Sequence, residues 1–185
     1  MAAYISLHYL LILLILLILS PTFFHQTCKL VQADHSLIEN QCHNANVPAT
    51  CLQCVESDPE AKTADQIGIA IIVVRCLSNH SSILVTETTK LARKAKDKDS
   101  KHVFESCSKG FSTANKYLSD VAAYLTIGEY GKAATSVLEA SQNCNICQVD
   151  TKKLSEELPT ATIILYEIGV FGELTDAVMR MIDRF

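Results

Sequence analysis

Residues 70–125 read AIIVVRCLSNHSSILVTETTKLARKAKDKDSKHVFESCSKGFSTANKYLSDVAAYL, and the spacing within this stretch decides the fold. Ala70, Val74, Leu77, Ser81, Leu84, Thr88, Leu91 and Ala95 alternate at intervals of four and three. Phe104, Cys107, Phe111, Ala114, Leu118, Val121 and Leu125 do the same. Such spacing lays one narrow seam along each of two long helices. The polar run between them, residues 96–100, is short, so the two are predicted to run antiparallel. A third helix is predicted after Gly128, through Ala133, Ala134, Val137 and Ser141. A fourth is predicted after Asp150, carrying Leu154, Leu158, Ala161, Leu165 and Ile168 toward the last residue. Pro159, and Gly169 with Gly172, are placed to kink or divide it. Glycine and proline are scarce, and alternation typical of strands is rare. The prediction is an all-α fold: an up-down-up-down four-helix bundle.

Upstream of the seams, residues 34–55 are shorter and less regular. A brief helix, a turn at residues 44–48 and a second brief helix through Cys51 and Cys54 are predicted. The loop from Cys42 to Cys51 suits a helical hairpin. Ser57-Asp58-Pro59-Glu60 is a start signal for the next helix, with Asp58 or Ser57 as cap and Pro59 in its first turn.

Residues 10–19 read LLILLILLIL, and no acidic residue occurs before Asp34. About twenty apolar residues are needed to span a bilayer, and Ser6, His8, Ser20 and Pro21 interrupt any longer run. Residues 1–33 are therefore read as a secretory signal peptide, cut after Ala33, with Val31 and Ala33 as the small residues before the cut. Residues 34–185 form one domain, long enough for a real core. That segment carries 15 basic and 20 acidic residues, a net charge of −5. The acidity argues against nucleic acid as a partner. The nearest basic run, residues 90–101, is broken by Asp97 and Asp99 and reads as a solvated turn.

Export makes disulfides the expected state of cysteine. With Cys28 in the leader, seven cysteines remain: Cys42, Cys51, Cys54, Cys76, Cys107, Cys144 and Cys147. The odd count means a free or intermolecular thiol, or an earlier cut that keeps Cys28. Cys51-x-x-Cys54 and Cys144-x-x-Cys147 have the local spacing of a zinc frame. Their separation and helical setting argue against it, so neither metal nor cofactor is expected. No βαβ pattern surrounds either pair, so a redox motif is not read there. His35, His43, His80 and His102 are scattered, Glu156 and Glu157 read as a solvated face, and neither a G-x-S-x-G elbow nor a Gly-rich phosphate loop occurs. The chain reads as a non-enzyme. Asn79-His80-Ser81 is an N-glycosylation sequon, which makes Asn79 a candidate acceptor.

Several of these residues also carry a family resemblance. Leu37-Ile38-Glu39-Asn40-Gln41-Cys42, then Cys51, Ser57-Asp58-Pro59 and Thr63-Ala64-Asp65, then Glu105-Ser106-Cys107, and Tyr130 followed by Ala133, Ala134 and Cys147, resemble the plant invertase and pectin methylesterase inhibitor domain. The resemblance covers residues 34 to about 168. It implies bridges Cys42–Cys51 and Cys107–Cys147, and a four-helix bundle with an N-terminal helical hairpin. Cys54, Cys76 and Cys144 lie outside the family's four cysteines. Cys144 could replace Cys147, and Cys54 and Cys76 could pair or stay free. Residues 173–185 run past the family's usual end.

The resemblance also implies a protein partner, a pectin methylesterase or an acid invertase, bound one-to-one in the apoplast, with the vacuole as an alternative. Invertase inhibitors carry a Pro-Lys-Phe element before the third bundle helix. Here the corresponding segment is Gly128-Glu129-Tyr130-Gly131-Lys132, without the proline. Pectin methylesterase inhibitors often have Tyr at that place. Gly128, Glu129, Tyr130 and Lys132 are the candidate target-contact loop. The expected action is steric occlusion of the enzyme's cleft. Two other readings stand beside it: a signalling or allergen-like bundle of the same fold without an enzyme target, and a lipid-binding helical protein.

Overall fold

Seam residues become helix–helix contacts once each helix is started and stopped, and short polar side chains set those limits. The computed structural model describes residues 35–156 and 158–185, all within the unit Ala33–Phe185; the signal peptide expected over residues 1–33 lies outside them. Helices α1 (His35–Cys42) and α2 (Pro48–Glu56) form the hairpin. A 3-10 turn (Pro59–Thr63) leads to α3 (Gln66–Lys94), α4 (Lys98–Leu118), the short α5 (Val121–Thr126), α6 (Tyr130–Leu154) and α7 (Pro159–Ile182). Asp58 caps the 3-10 turn, accepting the Glu60 amide at 2.9 Å. The cap of α3 is Asp65, which accepts the Gly68 amide at 2.7 Å. Asp97 does the same for Ser100 at the start of α4, also at 2.7 Å. Each carboxylate satisfies an amide that has no partner within the helix.

Helices α3, α4, α6 and α7 form the bundle, with α3 against α4 and α7, and α6 against α4 and α7. Phe111 of α4 and Phe171 of α7 meet edge to face at its centre, ring centroids 5.7 Å apart. Leu77, Leu84, Phe104, Leu118, Leu125 and Met181 are fully buried around them. Two seam positions of α3 are polar, and both are satisfied. The Ser81 hydroxyl donates to the Phe111 carbonyl at 3.1 Å, and Thr88 donates to the Leu84 carbonyl at 2.6 Å. By length and composition α3 could cross a membrane; here its apolar face is the bundle's central wall.

Four boundaries differ from the expectation. The Ser57–Glu60 signal starts a 3-10 turn, and the long helix begins only after Asp65. The seam through Leu125 breaks at Ser119-Asp120, so Val121 and Leu125 are buried from the separate α5, which packs on α3 and α6. The third bundle helix runs on to Leu154, past Asp150 where the fourth helix was expected to begin, so Leu154 belongs to the third helix and not the fourth. In residues 142–151 the buried positions are Cys144, Cys147 and Thr151, so the aliphatic pattern fades while the helix continues. The fourth helix starts at Pro159, in a first turn where a missing amide hydrogen leaves nothing unpaired. Gly169 and Gly172 do not interrupt it. Each glycine costs about 1 kcal/mol of helix propensity, and burial of Ile168, Phe171 and Leu174 offsets this.

The hairpin rests on α3 and α7. Arg184 donates to the carbonyl oxygens of Asn40 and Gln41 and to the Gln41 side chain. Arg180 joins Asn46 to Asp176, whose carboxylate also accepts the Asn46 amide. Thr50 donates to Glu173. Residues 173–185 thus clasp the hairpin. Disulfides lock the remainder. Cys42–Cys51 closes the hairpin, Cys54–Cys76 ties α2 to α3, and Cys107–Cys147 ties α4 to α6, with Cα separations of 5.5, 6.2 and 4.7 Å. Cys144 is the free cysteine among the described residues.

Candidate target-contact surface

The loop between α5 and α6 lies at the hairpin end of the bundle. Gly128 turns the chain at φ +77°, a left-handed conformation with open space around its Cα. Glu129 then folds back, its amide donating to the Tyr124 carbonyl at 2.9 Å, while its own carbonyl accepts the Lys132 and Ala133 amides. Lys132 pairs with Glu129 at 3.4 Å and lies 5.9 Å from the centre of the Tyr124 ring. The Tyr130 ring packs at 5.3 Å against Phe185. The structure therefore brings Gly128, Glu129, Tyr130 and Lys132 into one ordered knuckle, with Tyr130 backed by the last residue of the chain. Ile127, beside it, is 70% exposed.

A second apolar surface lies between α3 and α7 and was not legible in the sequence. Ile83 and Ile163, 56% and 61% exposed, flank a groove of about 410 Å³ floored by Leu84, Leu91 and Ile164. Tyr166, one turn along α7, is 71% exposed. Ile83, Ile163 and Tyr166 fall between seam positions, where a single apolar side chain carries little signal. His80 closes one end of this surface, its Nε2 lying 2.8 Å from the Glu167 carbonyl and 3.3 Å from the Glu167 carboxylate.

Asn79 is exposed on the outward side of α3, near the Cys54–Cys76 bridge. Its sequon partner Ser81 is wholly buried. Cys51, Cys54 and Cys147 of the zinc-like pattern are committed to disulfides. Among the described residues no cluster of three potential metal ligands occurs. Burial pushes the Cys144 thiol up to about 12, so it is no nucleophile at neutral pH. The arrangement presents surfaces instead of assembling reactive groups.

The family model for plant invertase/pectin methylesterase inhibitors matches residues 36–176. The chain belongs to this family. Its members are inhibitors and not enzymes. A pectinesterase inhibitor of Actinidia deliciosa is 26% identical over 152 residues, 80% of this chain and 78% of its own length. A cell wall / vacuolar inhibitor of fructosidase of Arabidopsis thaliana is 29% identical over 138 residues, 74% of this chain and 77% of its own. Crystal structures of an Arabidopsis pectin methylesterase inhibitor share the fold. A mutant form superposes with a TM-score of 0.66, covering 77% of this chain and 92% of that one. The other superposes at 0.60, covering 81% and 96%. Both are 15% identical. The inhibitor-family match stops at Asp176, so Arg180, Arg184 and Phe185 of the clasp lie beyond it.

Proposed function

We propose that this protein is a secreted inhibitor that binds a plant cell-wall carbohydrate-active enzyme one-to-one and covers its substrate cleft. The observation that carries this reading is membership, across residues 36–176, of a family whose relatives inhibit a pectinesterase or a fructosidase. The geometry supports it. A bundle held by three disulfides and a C-terminal clasp offers a pre-ordered surface, and such a surface loses little conformational freedom on docking. A standard interface needs about 800 Å² from each partner, which one bundle face supplies.

The knuckle at Gly128, Glu129, Tyr130 and Lys132 and the exposed Ile127 form the contact end. The knuckle carries a tyrosine and lacks the Pro-Lys-Phe element, which favours a pectin methylesterase over an acid invertase as target. Asn79 would carry a glycan added before folding, since Ser81 is buried afterwards. The decisive experiment titrates the oxidised protein against a pectin methylesterase and an acid invertase. We expect saturable inhibition of the pectin methylesterase with an inflection at one equivalent. Loss of neither activity would overturn the inhibitor reading.

A further inference from the structure

Between α3 and α4, away from the hairpin, the surface opens into a groove of about 630 Å³. Val85 and Ala92 are apolar points in its lining. Thr89 and Ser108, both in its lining, are hydrogen-bonded to each other through their hydroxyls at 2.7 Å, and Ser112 continues the hydroxyl lining. Arg93, Lys101 and Lys109 supply positive charge, and Glu105 is the single acid. A shallower trough extends the groove along α3. It shares Val85, Thr89 and Arg93 and adds Thr86, Lys90 and Lys94. Lys90 and Lys101 are engaged by Glu87 and Glu105 at 3.4 and 3.9 Å. Arg93, Lys94 and Lys109 have no carboxylate at ion-pair distance among the described residues.

We infer that this groove binds a carboxylated oligosaccharide and anchors the protein to an acidic polysaccharide. A uronate sugar offers a carboxylate, several hydroxyls and one apolar ring face, and the groove offers a partner for each. The unpaired cations take the carboxylates, the Thr89–Ser108 pair exchanges hydrogen bonds with sugar hydroxyls, and Val85 with Ala92 accept the C–H face. A nucleic acid fits less well. Three unpartnered cations are few against a phosphate backbone when residues 34–185 carry a net charge of −5, and no aromatic side chain lines the groove for base stacking. The cations are solvent-facing, so each contact is weak and screened over about 8 Å at physiological salt. A polymer offering many sites compensates through effective concentration. This anchoring does not depend on the identity of any enzyme target.

The test measures retention of the purified protein on immobilised polygalacturonate, with fully methyl-esterified polymer and neutral galactan beside it, and titrates a short galacturonate oligomer in solution. We expect retention on polygalacturonate alone, released by raised salt. The double variant Arg93→Glu/Lys109→Glu should weaken oligomer binding about tenfold. The charge-matched Lys152→Glu/Lys153→Glu, on α6, should bind like the parent. Ser108→Ala, which leaves charge unchanged and has little reach into the core, should weaken oligomer binding without altering the salt dependence. Equal loss in both charge variants, equal retention on the esterified polymer, or no effect of Ser108→Ala would overturn the site.

Discussion

A Cβ placed on Gly110 would stand 2.6 Å from the backbone oxygen of Asn143. The atom it meets belongs to the α6 main chain, close to where Cys107–Cys147 draws α4 and α6 together at a Cα separation of 4.7 Å, so it cannot swing aside as a side-chain tip would. In an isolated helix, glycine to alanine gains about 1 kcal/mol. Here the gain is outweighed, because relieving the clash means parting two helices whose contact buries Phe104, Ala114 and Ala140. We expect Gly110→Ala to destabilise the protein by about 1–3 kcal/mol. The check is urea unfolding, where the midpoint should fall without a change in slope. A higher midpoint would mean that the helices have room to spare. Nothing in the sequence marked Gly110, since a lone glycine in a helical stretch reads equally as tolerated filler. Cys54 and Cys76 were equally silent. Sequence offered pairing or freedom, and only the placement of α2 on α3 brings the two sulfurs together.

At the level of elements, the seams of α3 and α4 were readable because Leu, Val and Phe occupy the buried positions at helical spacing, whereas the end of α6 was not, because cysteine and threonine occupy them. Helix starts were half legible. The Ser57–Glu60 signal is real, but Asp58 caps a 3-10 turn and the long helix waits for Asp65. The start of α4 follows the same chemistry and has a pH signature. Hydrogen bonds from Ser100, chiefly its backbone amide and then its hydroxyl, hold the Asp97 carboxyl below its ordinary value. Because the folded value is the lower one, the cap contributes fully above the unfolded carboxyl's range and fades only as pH falls through the lowered value. Asp97→Ala should therefore reduce the melting temperature by similar amounts at pH 7 and at pH 5. The two proteins should converge only at strongly acidic pH. Thermal melts followed by helical circular dichroism across that range decide it. A gap that already closes by pH 5 would mean that the cap is not held as the carboxylate.

Across the bundle, the three crosslinks among the described residues differ in reach. Cys42, Cys51, Cys107 and Cys147 are at most 2% exposed, whereas Cys54 is 8% exposed and Cys76 is half-buried at the edge of an open depression lined by Thr50, Gln53 and Asn79. A reductant must contact a sulfur to open a bridge, so Cys54–Cys76 is the first to yield. Its loss releases α2 from α3 at a cost of about 3 kcal/mol in chain entropy for a 22-residue loop. Cys42–Cys51 still closes the hairpin, and Arg180 and Arg184 still hold it to α7. Cys144, one turn from Cys147, does not scramble the third bridge, because burial keeps its thiol protonated. Increasing dithiothreitol, followed by alkylation and peptide mapping, should therefore label Cys54 and Cys76 together. Cys107, Cys147 and Cys144 should be labelled only at concentrations that also abolish helical structure. Inhibition of the target enzyme should survive the first stage and vanish with the second, since the Tyr130 knuckle, proposed above as the contact end, is positioned by α5, α6 and Phe185 and not by the α2–α3 staple. If inhibition is lost on opening Cys54–Cys76 alone, the hairpin's seat on α3 belongs to the docking surface, and the knuckle alone does not define it.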